Sequence, residues 1–254
     1  MSRGSRPRAF AIAAHPDDIE FLMAGTLILL GRAGYALHYM NIANGSCGTA
    51  HHTCEAIVRI RREEAMAAAA SIGAVYHESL VNDIEIFYER GLLAQVGAVM
   101  REVAPEILLV QSPDDYMEDH QNAARLAVTA AFCRGMPNFF TDPPRLPTMQ
   151  DVTVYHAQPH GNRDPLRQVI RPEIVVDIGD VLAQKRAMLA CHQSQKAWLD
   201  QTQGMGSYLA AMEDFCREIG TLSGRDTVAE GWRRRSHLGF CPEHADPLSA
   251  ALAL

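Results

Sequence analysis

Residues 9–20 read AFAIAAHPDDIE, from Ala9 to Glu20. The first six are apolar, and His15-Pro16-Asp17-Asp18 ends the run. A short apolar segment closed by a polar turn is the pattern of a buried strand. Downstream, Ile19 to Gly31 carries Leu22, Met23, Thr26, Leu27 and Leu30 on one helical face. Tyr35 to Ile42 reads as a second strand, followed by the turn-rich Asn44-Gly45-Ser46-Cys47-Gly48. Ala56 to Ile72 reads as a helix stopped by Gly73, and Val75 to Leu80 as a third strand. A helix over Leu92–Val103, a strand over Ile107–Val110 and a helix over Gln121–Cys133 follow. Strands alternating with long helices predict βαβ units and a mostly parallel sheet with helices on both faces.

The regular alternation changes at Pro137. Asp142-Pro143-Pro144-Arg145-Leu146-Pro147 is a loop. Strands are expected at Val152–His156 and Ile174–Ile178, and a helix at Val181–Cys191. The last 30 residues are weakly patterned, and no internal repeat appears. The expected architecture is one domain over residues 1–254, with 195–254 as an extension that covers or completes the site.

The 254 residues are 48% hydrophobic and 21% charged, which excludes a disordered or low-complexity chain. Lys plus Arg number 23 against 30 Asp plus Glu, a formal net charge of −7. That balance opposes non-specific nucleic-acid binding, which needs clustered positive charge. Arg233-Arg234-Arg235 is the only basic knot and reads as a solvated surface. No stretch approaches the ~20 apolar residues of a membrane span, and the N-terminal pattern lacks a signal h-region. Six cysteines without a CxxC read as free thiols, so a cytoplasmic protein without a membrane partner is expected.

In parallel α/β sheets the functional loops lie at the carboxyl ends of the strands. Three polar clusters occupy such ends: His15–Asp18, Asn44–Gly48 and Ser112–His120. Pro16 stiffens the first, so one imidazole and two carboxylates emerge together. A hydrolytic metal site needs about three N/O ligands, an open position for water and a base. One of Asp17 and Asp18 suits the metal and the other the base, with the third ligand from Asp119-His120. The alternative is structural: Asp17 caps the following helix and Glu20 completes a capping box.

These segments resemble the PIG-L/LmbE family of metal-dependent deacetylases. Residues 13–20 match its opening motif, Gly25-Thr26 a pair in its first helix, and Asn44–Gly48 its loop after the second strand. Arg61-Arg62-Glu63-Glu64-Ala65, ending at Ile72-Gly73, is similar to its R-x-x-E-A helix. Asp119-His120-Gln121-Asn122-Ala123 resembles its second metal motif. Asp177-Ile178-Gly179-Asp180 and His192-Gln193-Ser194-Gln195 resemble its later segments. The likeness runs from about Ala9 to Gln195 and looks nearest to the bacillithiol-pathway deacetylases. It implies a Rossmann-like three-layer α/β/α sandwich and hydrolysis of an N-acetyl group on an amino-sugar conjugate. It implies zinc, exchangeable with ferrous iron or another divalent metal, and a trimeric or hexameric homo-oligomer. Carried over residue by residue, His15, Asp18 and His120 are the ligands and Asp17 the base. Asn44, Arg61 and Tyr116 are expected to bind substrate, and His192 to donate a proton.

One position departs from the family. Its second motif is usually H-P-D-H, whereas this chain has Met117-Glu118-Asp119-His120. Methionine cannot transfer a proton. Met117 supports a reading as an inactive carbohydrate-binding module, and His15-x-Asp17 with a distant His is formally the two-His, one-carboxylate set of a non-haem iron oxygenase with Asp17 as ligand. His156 and His160 flank Gln158-Pro159 after an expected strand, and either could enter the pocket. His51-His52-Thr53-Cys54 and Cys241-Pro242-Glu243-His244 lack zinc-finger spacing, and no G-x-S-x-G elbow marks a serine hydrolase.

Overall fold

A computed structural model describes residues 6–195 and 208–254. Seven strands form one sheet: β1 (Arg8–Ala13), β2 (Ala36–Asn41), β3 (Val75–His77), β4 (Ile107–Val110), β5 (Thr153–Ala157), β6 (Ile174–Asp177) and β7 (Ala229–Arg234). Their spatial order is β3-β2-β1-β4-β5-β7-β6. The first five are parallel, and β7 runs antiparallel to both β5 and β6. The mostly parallel α/β sheet expected from the alternation is present. β1 pairs with β2 on one side and β4 on the other, aligning Ala9 with Leu37 and Ile107. The chain order reverses there, which opens a crevice beyond the carboxyl ends of β1 and β4.

The helices are α1 (Asp18–Leu22), α2 (Ala24–Arg32), α3 (Cys54–Ser71), α4 (Arg90–Val103), α5 (Glu118–Cys133), α6 (Leu182–Leu189), α7 (Tyr208–Leu222) and α8 (Pro247–Leu252). Alternate residues of β1 serve two cores, as the strand period requires. Ala9, Ala11 and Ala13 pack with residues of α1, α2, α3, α6 and α7. Phe10 and Ile12 pack with residues of α4 and α5. Helices thus cover both faces, in three layers. Among the described residues, no helix is long and apolar enough to cross a membrane.

Three element expectations need correction. The helix read as continuous over Ile19–Gly31 breaks at Met23 (φ −132°). The third strand ends at His77, and only an isolated bridge joins Ala43 to Val81 beyond it. The weakly patterned terminus contains β7, a strand inside the sheet.

The first and third corrections share a cause. Glu230 of β7 is fully buried and accepts from the Gly25 and Thr26 amides at 2.8 and 2.7 Å. These are free donors in the first turn of α2, where a carboxylate also suits the helix dipole. Lys185 of α6 pairs with the same carboxylate at 2.5 Å. Trp232 Nε1 donates to Thr26 Oγ1 at 2.9 Å. A Cβ on Gly25 would approach Ile178 Cγ2 to 2.6 Å and Glu230 Oε1 to 2.9 Å. Gly25-Thr26 is therefore the place where β7 docks.

Candidate metal centre and active site

His15, Asp17 and Asp18 leave the end of β1, and His120 lies in the first turn of α5 after β4. One ligand atom each from His15, Asp18 and His120 lies within 4.8 Å of the others. His15 Nε2 is 2.9 Å from Asp119 Oδ2, and His120 Nδ1 is 2.9 Å from Asp115 Oδ1. A carboxylate only accepts, so each contact places a proton on that ring nitrogen. The opposite nitrogens, His15 Nδ1 and His120 Nε2, each lie 3.5 Å from an oxygen of Asp18. Two imidazoles braced from behind by carboxylates, with a third carboxylate between them, form a donor set that fits a divalent cation. Among the described residues it is the only such group of three or more.

The surrounding carboxylates favour protons on the two imidazoles. Burial alone pulls the His15 pKa down, but Asp119 and Asp18 outweigh it and push the ring up to about 10. His120 moves the same way, because Asp18 and Asp115 overcome its burial. Burial opposes ionisation of Asp18, yet the two imidazoles hold it below the usual carboxylate range. A metal entering the site must displace the protons on His15 Nδ1 and His120 Nε2.

Asp17 is not part of that set. It adopts φ 104°, and its side chain makes no capping bond, so the capping-box alternative fails. Tyr208 at the start of α7 donates to Asp17 Oδ2 at 2.6 Å, while Arg61 Nη2 lies 3.7 Å from Oδ1. Burial is the main influence on this carboxyl; Arg61 opposes it, Asp18 adds to it, and the pKa is pushed up to about 6. That range suits a general base working near neutral pH.

The cavity over these residues is lined by Phe21 and Leu22 of α1, Cys47, Gly48, Arg61, Asp83, Ile84, Tyr116, Met117, His160, Gln195 and Tyr208, besides the metal-site residues. Arg61 is buried and donates to the Pro16 carbonyl. It pairs with Asp17 and with neither Glu64 nor Glu55; Glu64 accepts instead from Ser194 N and Oγ at 2.9 and 2.6 Å. Gly45 has φ 81°, and a Cβ there would collide with Arg61 Cδ. Asp83 holds the adjoining loop by accepting from the Gly45 and Cys47 amides at 2.7 and 2.9 Å.

Two expected site residues lie elsewhere. Asn44 does not line the cavity: its amide donates to Asn82 at 2.9 Å and its oxygen accepts from Ser46 N at 3.1 Å, so it shapes the turn. His192 is 1% exposed, also absent from the cavity wall, and faces Glu20 Oε1 at 3.4 Å. Tyr39 donates to the other oxygen of Glu20 at 3.1 Å. His192 can act on the chemistry only by supporting its neighbours. Tyr116 does line the cavity, and so does His160, whose amide donates to Asp115 at 3.2 Å. His156 does not; its Nδ1 donates to the Gln111 carbonyl at 2.9 Å.

Residues 10–131 match the family model described as GlcNAc-PI de-N-acetylase, PIG-L. A 4-oxalmesaconate hydratase of Pseudomonas putida is 30% identical over 233 residues, 88% of this chain and 87% of that protein. The chain belongs to the PIG-L family. A diacetylchitobiose deacetylase of Thermococcus kodakarensis is 26% identical over 204 residues, 74% of this chain and 70% of that one. The solved N,N'-diacetylchitobiose deacetylase of Pyrococcus horikoshii superposes with a TM-score of 0.75 at 21% identity, covering 92% and 85% of the two chains. The relatives thus carry the names of deacetylases and of a hydratase.

Sequence reasoning missed Asp115, Tyr208 and Ile84, and quoted Gln195 only as the last residue of the His192-Gln193-Ser194-Gln195 segment. Asp115 follows another aspartate in Asp114-Asp115, and nothing in the pattern says which of them turns inward. Tyr208 meets Asp17 from 191 positions away.

Proposed function

We propose that the protein is a zinc-dependent N-deacetylase that hydrolyses the N-acetyl group of an amino-sugar conjugate, with ferrous iron as an alternative cation. The observation that carries this reading is the Asp17 carboxylate, lifted to about 6 beside the His15, Asp18 and His120 donor set. The deacetylase relatives support it. A divalent cation held by His15, Asp18 and His120 would supply an acidified water and polarise an acyl carbonyl. Asp17 Oδ1, left free by Tyr208, is placed to receive a proton from an attacking water. Arg61, beside Oδ1, steadies the negative charge that Asp17 carries before the transfer. The proton then on Oδ1 is available to the departing nitrogen. Met117 cannot replace it, whereas His160 and Tyr116, both in the cavity wall, carry exchangeable protons.

The test is acetate release by metal-loaded protein from free, malate-linked and inositol-linked N-acetylglucosamine, from diacetylchitobiose and from phenyl N-acetyl-β-D-glucosaminide. Release from at least one is expected. No release from any, with metal content confirmed, rejects the reading.

A second reading is hydration of an unsaturated carboxylic acid. Met117 favours it, because no amine leaves in that reaction, and so does the hydratase relative. Loss of the ultraviolet absorbance of 4-oxalmesaconate, without acetate release from the sugars, would select it.

A further inference from the structure

Ile84 adopts φ 65°. A β-branched side chain is strongly disfavoured in this left-handed region, which glycine and asparagine enter far more easily. The surroundings hold it there. Asn82 Nδ2 donates to Glu85 Oε2 at 3.1 Å, and Glu85 N donates to the Asn82 carbonyl at 3.3 Å. Ile84 N donates to Asp119 Oδ2 at 2.7 Å. That oxygen also accepts from His15 Nε2 at 2.9 Å, so the strained turn and a metal-site imidazole share one anchor.

Packing does not explain an isoleucine here. The residue is 64% exposed, and it lines the cavity together with Phe21, Leu22, Tyr116 and Met117. Glycine at this position would relieve the backbone and cost no core contact. Strain kept at a site is motivated when the side chain has work there. The work available to an exposed aliphatic group beside other apolar walls is contact with an apolar ligand group.

We propose that Ile84 is a specificity-determining residue, and that the substrate carries an alkyl or aryl group packing between Ile84 and the apolar wall beside it. This rests on the amino-sugar reading and narrows it: the group linked to the sugar is apolar, not a second sugar. Anchoring through Asp119 holds that contact at a fixed distance from His15.

The experiment uses the zinc-loaded full chain carrying Asp17→Asn, so that turnover is slow. Titration calorimetry compares phenyl and methyl N-acetyl-β-D-glucosaminide. The phenyl compound is expected to bind about tenfold more tightly, the usual effect of one apolar contact in a pocket. Adding Ile84→Gly should bring the ratio close to one, and Ile84→Val should preserve it. The ligand-free melting temperature of Ile84→Gly should rise by about 2–4 °C as the strain is relieved. Equal binding of the two compounds, no binding of either, or a ratio unaffected by Ile84→Gly overturns the proposal. A lower melting temperature in Ile84→Gly overturns the account of the strain. Acetate release is measured separately on the chain with Asp17 intact. A phenyl preference without acetate release would reject deacetylation and leave the role of Ile84 standing.

Discussion

Asp17 and Asp18 are adjacent, alike in type and opposite in environment. Two imidazoles hold the pKa of Asp18 below the usual carboxylate range, whereas burial raises that of Asp17. The same residue type therefore supplies a ligand and a base. Asp17→Asn should keep stoichiometric metal and lose ~10²–10⁴ of turnover, the usual cost of removing a general base. Tyr208→Phe removes only the donor to Oδ2. It should also keep its metal and lower kcat about tenfold, with the acid limb of the pH–rate profile displaced towards higher pH. Loss of metal in either variant, measured by emission spectrometry, would make Asp17 a ligand. The His15–Asp18 turn was legible because a stiff turn after an apolar run must present its polar groups together. The roles of Asn44 and His192 were not. Sequence reveals that an imidazole is present, whereas its burial against Glu20 follows from packing of distant segments.

At the scale of elements, alternation of apolar runs and helical faces located β1, β2, β4, β5 and most helices to within a few residues. It failed where an element is held by buried polar groups. β7 reads Ala-Glu-Gly-Trp-Arg-Arg, and a strand interior with Glu230 and Gly231 has no apolar run to detect. The buried glutamate that obscures the strand also ends α1–α2 as one helix, by capping α2 from 205 positions away. Glu230→Ala would leave the Lys185 ammonium and two helix amides buried without their acceptor. Breaking a buried pair on one side typically costs ~3–5 kcal/mol. Urea unfolding of this variant should show a loss of that size. Adding Lys185→Met should recover a large part of it, since no unpaired charge remains. A loss below about 1 kcal/mol for Glu230→Ala would mean that this contact does not hold β7 in place.

At the scale of the molecule, the strand order places β1 beside β4, so loops about 100 positions apart in sequence meet at one crevice. A cation shared by His15, Asp18 and His120 would join those loops, and its binding would appear as stability of the whole fold. The pH dependence has a definite sign. In the cation-free protein His15 is raised from 6.5 to about 10, and His120 is raised in the same direction. Between those values the folded chain binds more protons than the unfolded one. The stability this contributes is complete below pH 6.5 and is lost as pH rises towards 10. In the metal-loaded protein the ring protons are already displaced, so that loss does not occur. Metal binding releases protons and therefore strengthens with pH over the same window. The melting temperature measured with excess zinc, minus that measured with a chelator, should accordingly widen from pH 6.5 to pH 9. In His15→Ala the difference should be small and nearly independent of pH, because a ligand and the group with the largest displacement are lost together. A difference that is constant, or that narrows as pH rises in the unaltered protein, would show that the imidazoles at the ends of β1 and β4 do not exchange protons for metal.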